Sequence, residues 1–171
     1  MTTVNSNNLK IGHPRAVILC GISGSGKTRI ARKFEQEGYR RLSLDHALLK
    51  KHGDGFTSLP SEKQRMLTIE MEKELCRQMC QLLERGESVV VDACLCKRFK
   101  RDAFMCGARR SGVEPAGIFA TAPDEVILER LSERVGRDAD DIMVSEEQFR
   151  RFRKNFEEPA EDENFILCVT G

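Results

Sequence analysis

Residues 16–28 read AVILCGISGSGKT. Five apolar residues run into Gly21, Gly24 and Gly26 follow, and Lys27 and Thr28 come next. The apolar run is the length of one buried strand, and Lys27 to Glu37 has a helical apolar face in Ile30, Ala31 and Phe34 before the stop at Gly38. The string therefore fits G-x-x-x-x-G-K-[ST] with a strand before it and a helix after it. Glycines at 21, 24 and 26 let the backbone curl so that successive N–H groups point inward at an anion. The helix that starts near Lys27 adds the positive end of its dipole. The Lys27 ammonium then reaches the outer phosphates, and the Thr28 hydroxyl is a ligand for Mg²⁺. The expectation is a loop that holds ATP with Mg²⁺ through Gly21, Ser23, Gly24, Ser25, Gly26, Lys27 and Thr28.

Further strands and helices alternate along the chain. Tyr39 to Leu44 reads as a second strand that ends at Asp45, and residues 51–60 read as loop. A long helix starts at Ser61, with a capping box from Ser61 to Gln64, and runs to Gly86. Ser88 to Val91 is a β-branched strand that ends at Asp92. A helix from Lys97 to Arg110, a strand from Ala116 to Ala120 and a helix opened by Pro123 follow. Ser145 and Gln148 form a second capping box, with Phe149, Phe152 and Phe156 along one face, and Phe165 to Val169 is a fifth strand. Strands alternating with helices predict an α/β fold, a parallel sheet with helices on both faces. At 171 residues, with no internal repeat or linker, the chain reads as one domain with a flexible segment over residues 1–14.

Composition narrows the partners. A net charge of +1 gives no field to hold nucleic acid, although the 28 Lys and Arg residues leave room for a local basic patch. The first apolar run is too short for a signal peptide or a membrane span. Seven cysteines without a C-x-x-C pair suit unpaired thiols in a reducing compartment, so the expected location is cytoplasmic.

The triphosphate has three possible fates: hydrolysis that drives motion, slow hydrolysis as a switch, or transfer. Motors place a glutamate after the magnesium-side aspartate, but Ala93 follows Asp92 here, and the guanine-reading string N-K-x-D does not occur. Phosphoryl transfer to a hydroxyl remains; it needs a carboxylate and cations near the outer phosphate. Asp45 is placed either as a general base for an attacking hydroxyl or as an N-cap of the next helix. Asp92 is either a magnesium-side carboxylate or a turn residue. In DEVILERLSERVGRD, Arg130 and Arg134 share a helix face and Arg137 lies beyond; a lid over about residues 130–145 would bring them to the phosphates, while a solvated face is the alternative.

These pieces resemble the P-loop kinase group of polynucleotide-kinase-like proteins, zeta toxins, chloramphenicol phosphotransferase and gluconate kinases. The likeness rests on GISGSGKT, the S-x-D at Ser43 to Asp45, VVVDACLCKRFKRDAF, the lid string and FEEPAEDE before the last strand. It implies a five-stranded parallel sheet in the order 2-3-1-4-5. It implies Asp45 as the base that activates the substrate hydroxyl and Asp92 beside the loop near magnesium. It also implies Lys27, Arg130 and Arg134 acting at the nucleotide, and Lys97, Arg98 and Arg101 flanking an acceptor pocket. Two departures bear on the acceptor. Polynucleotide kinases carry an arginine three residues after the catalytic aspartate, where this chain has Leu48, and the histidine, proline and tryptophan pattern of gluconate kinases is reduced to HGDGFTSLPSEKQRM. The kinases of this group continue into a helix after the fifth strand; this sequence ends at Gly171. The expected activity is an ATP-dependent kinase acting on a hydroxyl of a small molecule. A 5′-hydroxyl polynucleotide kinase and an ATP-binding module without transfer are the alternatives.

Overall fold

Every residue of AVILC is fully buried, and what each one touches shows why. Ala16, Ile18 and Cys20 join one apolar cluster, while Val17 and Leu19 join another. The strand is covered on both faces, which is where an unbroken apolar strand belongs. Burying each of its larger side chains contributes about 1.5–3 kcal/mol.

The computed structural model describes residues 3–5, 12–133 and 144–171. The strands are β1 (Thr3–Asn5), β2 (Ala16–Cys20), β3 (Arg40–Ser43), β4 (Val89–Asp92), β5 (Ala116–Thr121) and β6 (Ile166–Val169). The helices are α1 (Lys27–Gln36), α2 (Leu44–His52), α3 (Ser61–Glu84), α4 (Arg98–Arg110), α5 (Asp124–Glu133) and α6 (Glu146–Asn155). The strands form one parallel sheet in the order β1-β6-β5-β2-β4-β3. The expected five strands in the order 2-3-1-4-5 are thus corrected to six. Thr3–Asn5, inside the segment expected to be flexible, adds an edge strand beside β6. Three residues of mixed polarity carry no period, so only the open edge of β6 reveals them as a strand. The other five keep their relative order within the six.

Helices cover both faces. Leu48 of α2, Leu75 and Met79 of α3, and Phe104 of α4 pack on one side, and Ile30, Ala31 and Phe34 of α1 on the other. A smaller cluster joins Ile22 and Ala122 to Ile127 and Leu131 of α5 and Phe149 of α6.

Some local expectations change. The second strand ends at Ser43, one residue earlier than expected, and α2 extends into the stretch expected as loop, with a 3-10 turn at Asp54–Ser58 beyond it. No capping box forms at Ser61: the N-cap of α3 is Pro60, and Gln64 Nε2 donates instead to the carbonyls of Leu59 (2.8 Å) and Thr57 (3.0 Å). The box at Ser145 does form, through 3.2 and 2.8 Å bonds with Gln148. Pro123 stands just ahead of α5, its carbonyl receiving the Ile127 N–H. Phe149 is buried and Phe156 stacks on Phe119, but Phe152 lies off that stripe and is exposed. No helix among the described residues is long and apolar enough to cross a membrane.

Candidate active site

Strand register brings the acidic residues to the loop. Asp92 at the end of β4 pairs in register with Leu19 of β2 and Ser43 of β3. The three strands therefore end level, and Gly21, Asp45 and Asp92 leave the sheet at its carboxyl edge, where open α/β sheets hold ligands. One cleft there is lined by Ser23, Gly24, Gly26, Lys27, Thr28, Asp45, Asp92, Ala93 and Cys94.

The glycine loop is built by close approach as well as by turning. Gly24 has φ 84° and Gly26 has φ 89°. A Cβ on Gly24 would lie 2.6 Å from Ile127 Cγ2, and one on Gly26 would lie 3.0 Å from the Thr170 side chain. The loop closes on itself through Ser25 N–H to the Ile22 carbonyl (3.2 Å) and is tied to the segment just after β4 by Gly21 N–H to the Cys94 carbonyl (3.1 Å). Lys27 Nζ donates to the Ile22 carbonyl at 2.8 Å, which holds the ammonium against the loop. Ser25 is fully buried, and its Oγ has no hydrogen-bond partner among the described residues. A lysine and the amino end of α1, at a cradle that tolerates no Cβ at Gly24, fit a polyphosphate. The oxygens of Thr28 and Asp92 in the same cleft are the donor type that Mg²⁺ prefers.

The capping alternative for Asp45 falls to Ser43. Ser43 is the N-cap of α2, and its hydroxyl accepts from His46 N–H at 3.3 Å. Asp45 sits in the first helical turn and lines the cleft with Lys27 and Asp92. Asp92 is held by a residue that sequence reasoning missed. Arg41 Nη2 donates to Asp92 Oδ2 at 2.9 Å, and Nε to the same oxygen at 3.2 Å. Both side chains are nearly buried. Arginine within a strand was the available signal, but without the register Arg41 on the edge strand β3 looks no different from exposed Arg40. Leu48 is buried in the core, so the place where polynucleotide kinases carry an arginine presents no charge to an acceptor.

Arg130 lies against the loop. Its Nη1 donates to Thr170 Oγ1 (2.8 Å) and to the Gly24 carbonyl (3.3 Å), and Nη2 donates to the Thr170 carbonyl (3.4 Å). Thr170 Oγ1 in turn donates to the Ser25 carbonyl at 2.9 Å. Thr170 was also missed; it directly follows the apolar strand β6, with no motif around it. Arg134 and Arg137 lie outside the described residues.

The basic residues expected around an acceptor pocket are engaged elsewhere. Arg101 is fully buried, with Nε and Nη2 on the Glu163 carboxylate at 2.6 and 2.8 Å and Nη1 on the carbonyls of Leu95 and Glu157. Arg98 pairs with Asp162 and Lys97 with Glu157. The acidic tail that sequence reading placed before the last strand supplies all three partners. Burial acts to raise the Glu163 carboxyl, but hydrogen bonds from Arg101 and Ala160 N–H and the Arg101 charge outweigh it and hold the group below the usual carboxylate range.

Solved structures share this architecture, kinases among them. A gluconokinase from Sinorhizobium meliloti 1021 superposes with TM-score 0.64 at 21% identity, over 93% of this chain and 84% of that one. A sugar kinase from Janibacter sp. HTCC2649 gives 0.66 at 23%, over 91% and 85%. Kti12 from Chaetomium thermophilum, in complex with ADP-AlF3, gives 0.67 at 16%, over 90% and 88%. At these identities the likeness is one of fold. Among curated proteins, none matches the sequence. The family model described as AAA domain matches residues 17–159. That span runs from the first core strand through the phosphate loop, both cleft aspartates and α5 to the acidic tail, and the chain belongs to this AAA domain family, with the P-loop kinase fold.

Proposed function

We propose that the protein is an ATP-dependent kinase that transfers the γ-phosphate to a hydroxyl of a small-molecule acceptor. The observation that carries this reading is the position of Asp45 in one cleft with Lys27, Thr28 and Asp92. The loop N–H groups and Lys27 hold the phosphates of ATP. Thr28 and Asp92 would hold Mg²⁺, which supplies positive charge against the phosphate oxygens. Asp45 takes the proton of the acceptor hydroxyl as that oxygen forms its bond to the γ-phosphorus and the bond to the ADP oxygen breaks. Arg130 keeps the loop in shape from behind, and Arg134 and Arg137 of the lid bring cationic charge to the transferring group. The apolar Leu48 and the net charge of +1 favour an uncharged acceptor end over a phosphorylated one. Seven free thiols suit a reducing cytoplasm.

The test is transfer from labelled ATP by the full chain to a panel of sugars, hydroxy acids, amino alcohols and a 5′-hydroxyl oligonucleotide. Asp45→Asn should lower transfer by about 10²–10⁴-fold and leave ATP affinity within a few-fold. Transfer confined to the oligonucleotide moves the acceptor to a nucleic-acid end. ATP binding without transfer to any acceptor reduces the protein to a nucleotide-binding module.

A further inference from the structure

Cys94 and Cys96 flank Leu95, a fully buried residue with φ 44°. A leucine in the left-handed region persists only where its surroundings hold it. Three hydrogen bonds do so. Arg101 Nη1 donates to the Leu95 carbonyl at 3.2 Å, Gly21 N–H to that of Cys94 at 3.1 Å, and Glu157 N–H to that of Cys96 at 3.0 Å. In an extended strand, residues two apart have α-carbons about 6.6 Å from each other. That is close to the outer limit for a disulfide, about 6.8 Å. The left-handed turn at Leu95 draws the pair closer than an extended strand would. Cys94 faces the phosphate cleft. Cys96 lies near Lys100, whose ammonium is paired with Glu72 at 2.7 Å. The neighbouring Cys94 side chain lowers the Cys96 thiol to about 6; burial opposes this and the Lys100 charge adds to it.

We propose that Cys94 and Cys96 are a reactive dithiol that low-molecular-weight disulfides oxidise to a Cys94–Cys96 bridge, and that closing the bridge weakens nucleotide binding. The Cys96 thiolate attacks one sulfur of the small disulfide, forms a mixed disulfide and expels one small thiolate. The Cys94 sulfur then attacks Cys96, its proton passing to the expelled thiolate, and displaces the second small thiol. Two protein thiols are oxidised and one disulfide is reduced to two thiols. The bridge pulls on the Cys94 carbonyl that anchors Gly21 and shifts a residue that lines the cleft. This consequence rests on the nucleotide reading above; the dithiol chemistry does not.

The full chain is treated with oxidised glutathione, blocked by alkylation and digested with trypsin. Residues 86–97 hold Cys94 and Cys96 and no other cysteine, so the bridge appears as that peptide two hydrogens lighter and unalkylated until reduced. Cys94→Ser should stop at a glutathione adduct on Cys96, and Cys96→Ser should leave the peptide unbridged and unmodified. The exposed Cys106 is the internal reference and should react more slowly than Cys96. Affinity for a fluorescent ATP analogue should fall about tenfold in the bridged protein, the equivalent of one lost hydrogen bond, and return with dithiothreitol. A missing bridge, a Cys106 that reacts faster than Cys96, or an affinity unchanged by complete bridging overturns the proposal. A reduced chain that binds no nucleotide overturns the nucleotide reading and the consequence drawn from it, while the peptide still decides the dithiol.

Discussion

Arg130 Nη1 and Thr170 Oγ1 are 2.8 Å apart, a hydrogen bond that joins α5 to the residue just after β6. The same hydroxyl donates to the Ser25 carbonyl, and the same nitrogen reaches the carbonyl of Gly24. The phosphate loop is therefore held from outside by two side chains that belong to neither its strand nor its helix. A preorganised loop spends less of its binding energy on ordering.

Thr170→Val keeps the shape of the side chain and removes its hydroxyl. The Ser25 carbonyl loses its donor and Arg130 loses an acceptor. Urea unfolding should show a loss of about 1–3 kcal/mol. ATP affinity, measured by calorimetry, should fall about fivefold to tenfold as the loop loosens.

Arg41→Met leaves the Asp92 carboxylate nearly buried without its guanidinium. Loss of one partner from such a pair costs about 3–5 kcal/mol. The variant should melt well below the parent in thermal denaturation, and Mg²⁺ should enhance its nucleotide binding less. Arg41→Lys, which keeps the charge but not the two-nitrogen grip, should fall between them.

Gly24→Ala places a methyl against Ile127 and forces alanine to φ 84°. The backbone term alone costs roughly 1–2 kcal/mol. Because α5 must move to admit the methyl, ATP binding should be lost before the fold is. Calorimetry beside circular dichroism checks the order of the two losses.

The Arg101–Glu163 pair sets an acid limit. Glu163 titrates lower in the folded chain than its ordinary 4.5, so the unfolded chain binds its proton first as pH falls. The stability from this group is complete above about pH 4.5 and is lost as pH drops through the lower folded value. Glu163→Gln strands a buried guanidinium and should cost about 3–5 kcal/mol at neutral pH. The gap between the variant and the parent should narrow in urea titrations below about pH 4.

AVILCGISGSGKT was legible alone because chemistry and local order coincide in it: an apolar strand, a turn only glycine can make, and a helix start with its lysine, all within thirteen consecutive residues. The alternation of strands and helices was legible because period and punctuation are local properties of a chain. Thr3–Asn5 was not, since its only reason to be a strand is the free edge of β6. Nor were the partners of the site. Arg41 finds Asp92, Arg130 finds Thr170 and Arg101 finds Glu163 across separations of 51, 40 and 62 residues. Local sequence says what each group can do, whether it binds a phosphate, takes a proton or carries a charge. Which groups meet depends on strand register and helix packing, because an ion pair or a hydrogen bond is decided by a few tenths of an ångström that only the assembled sheet can set.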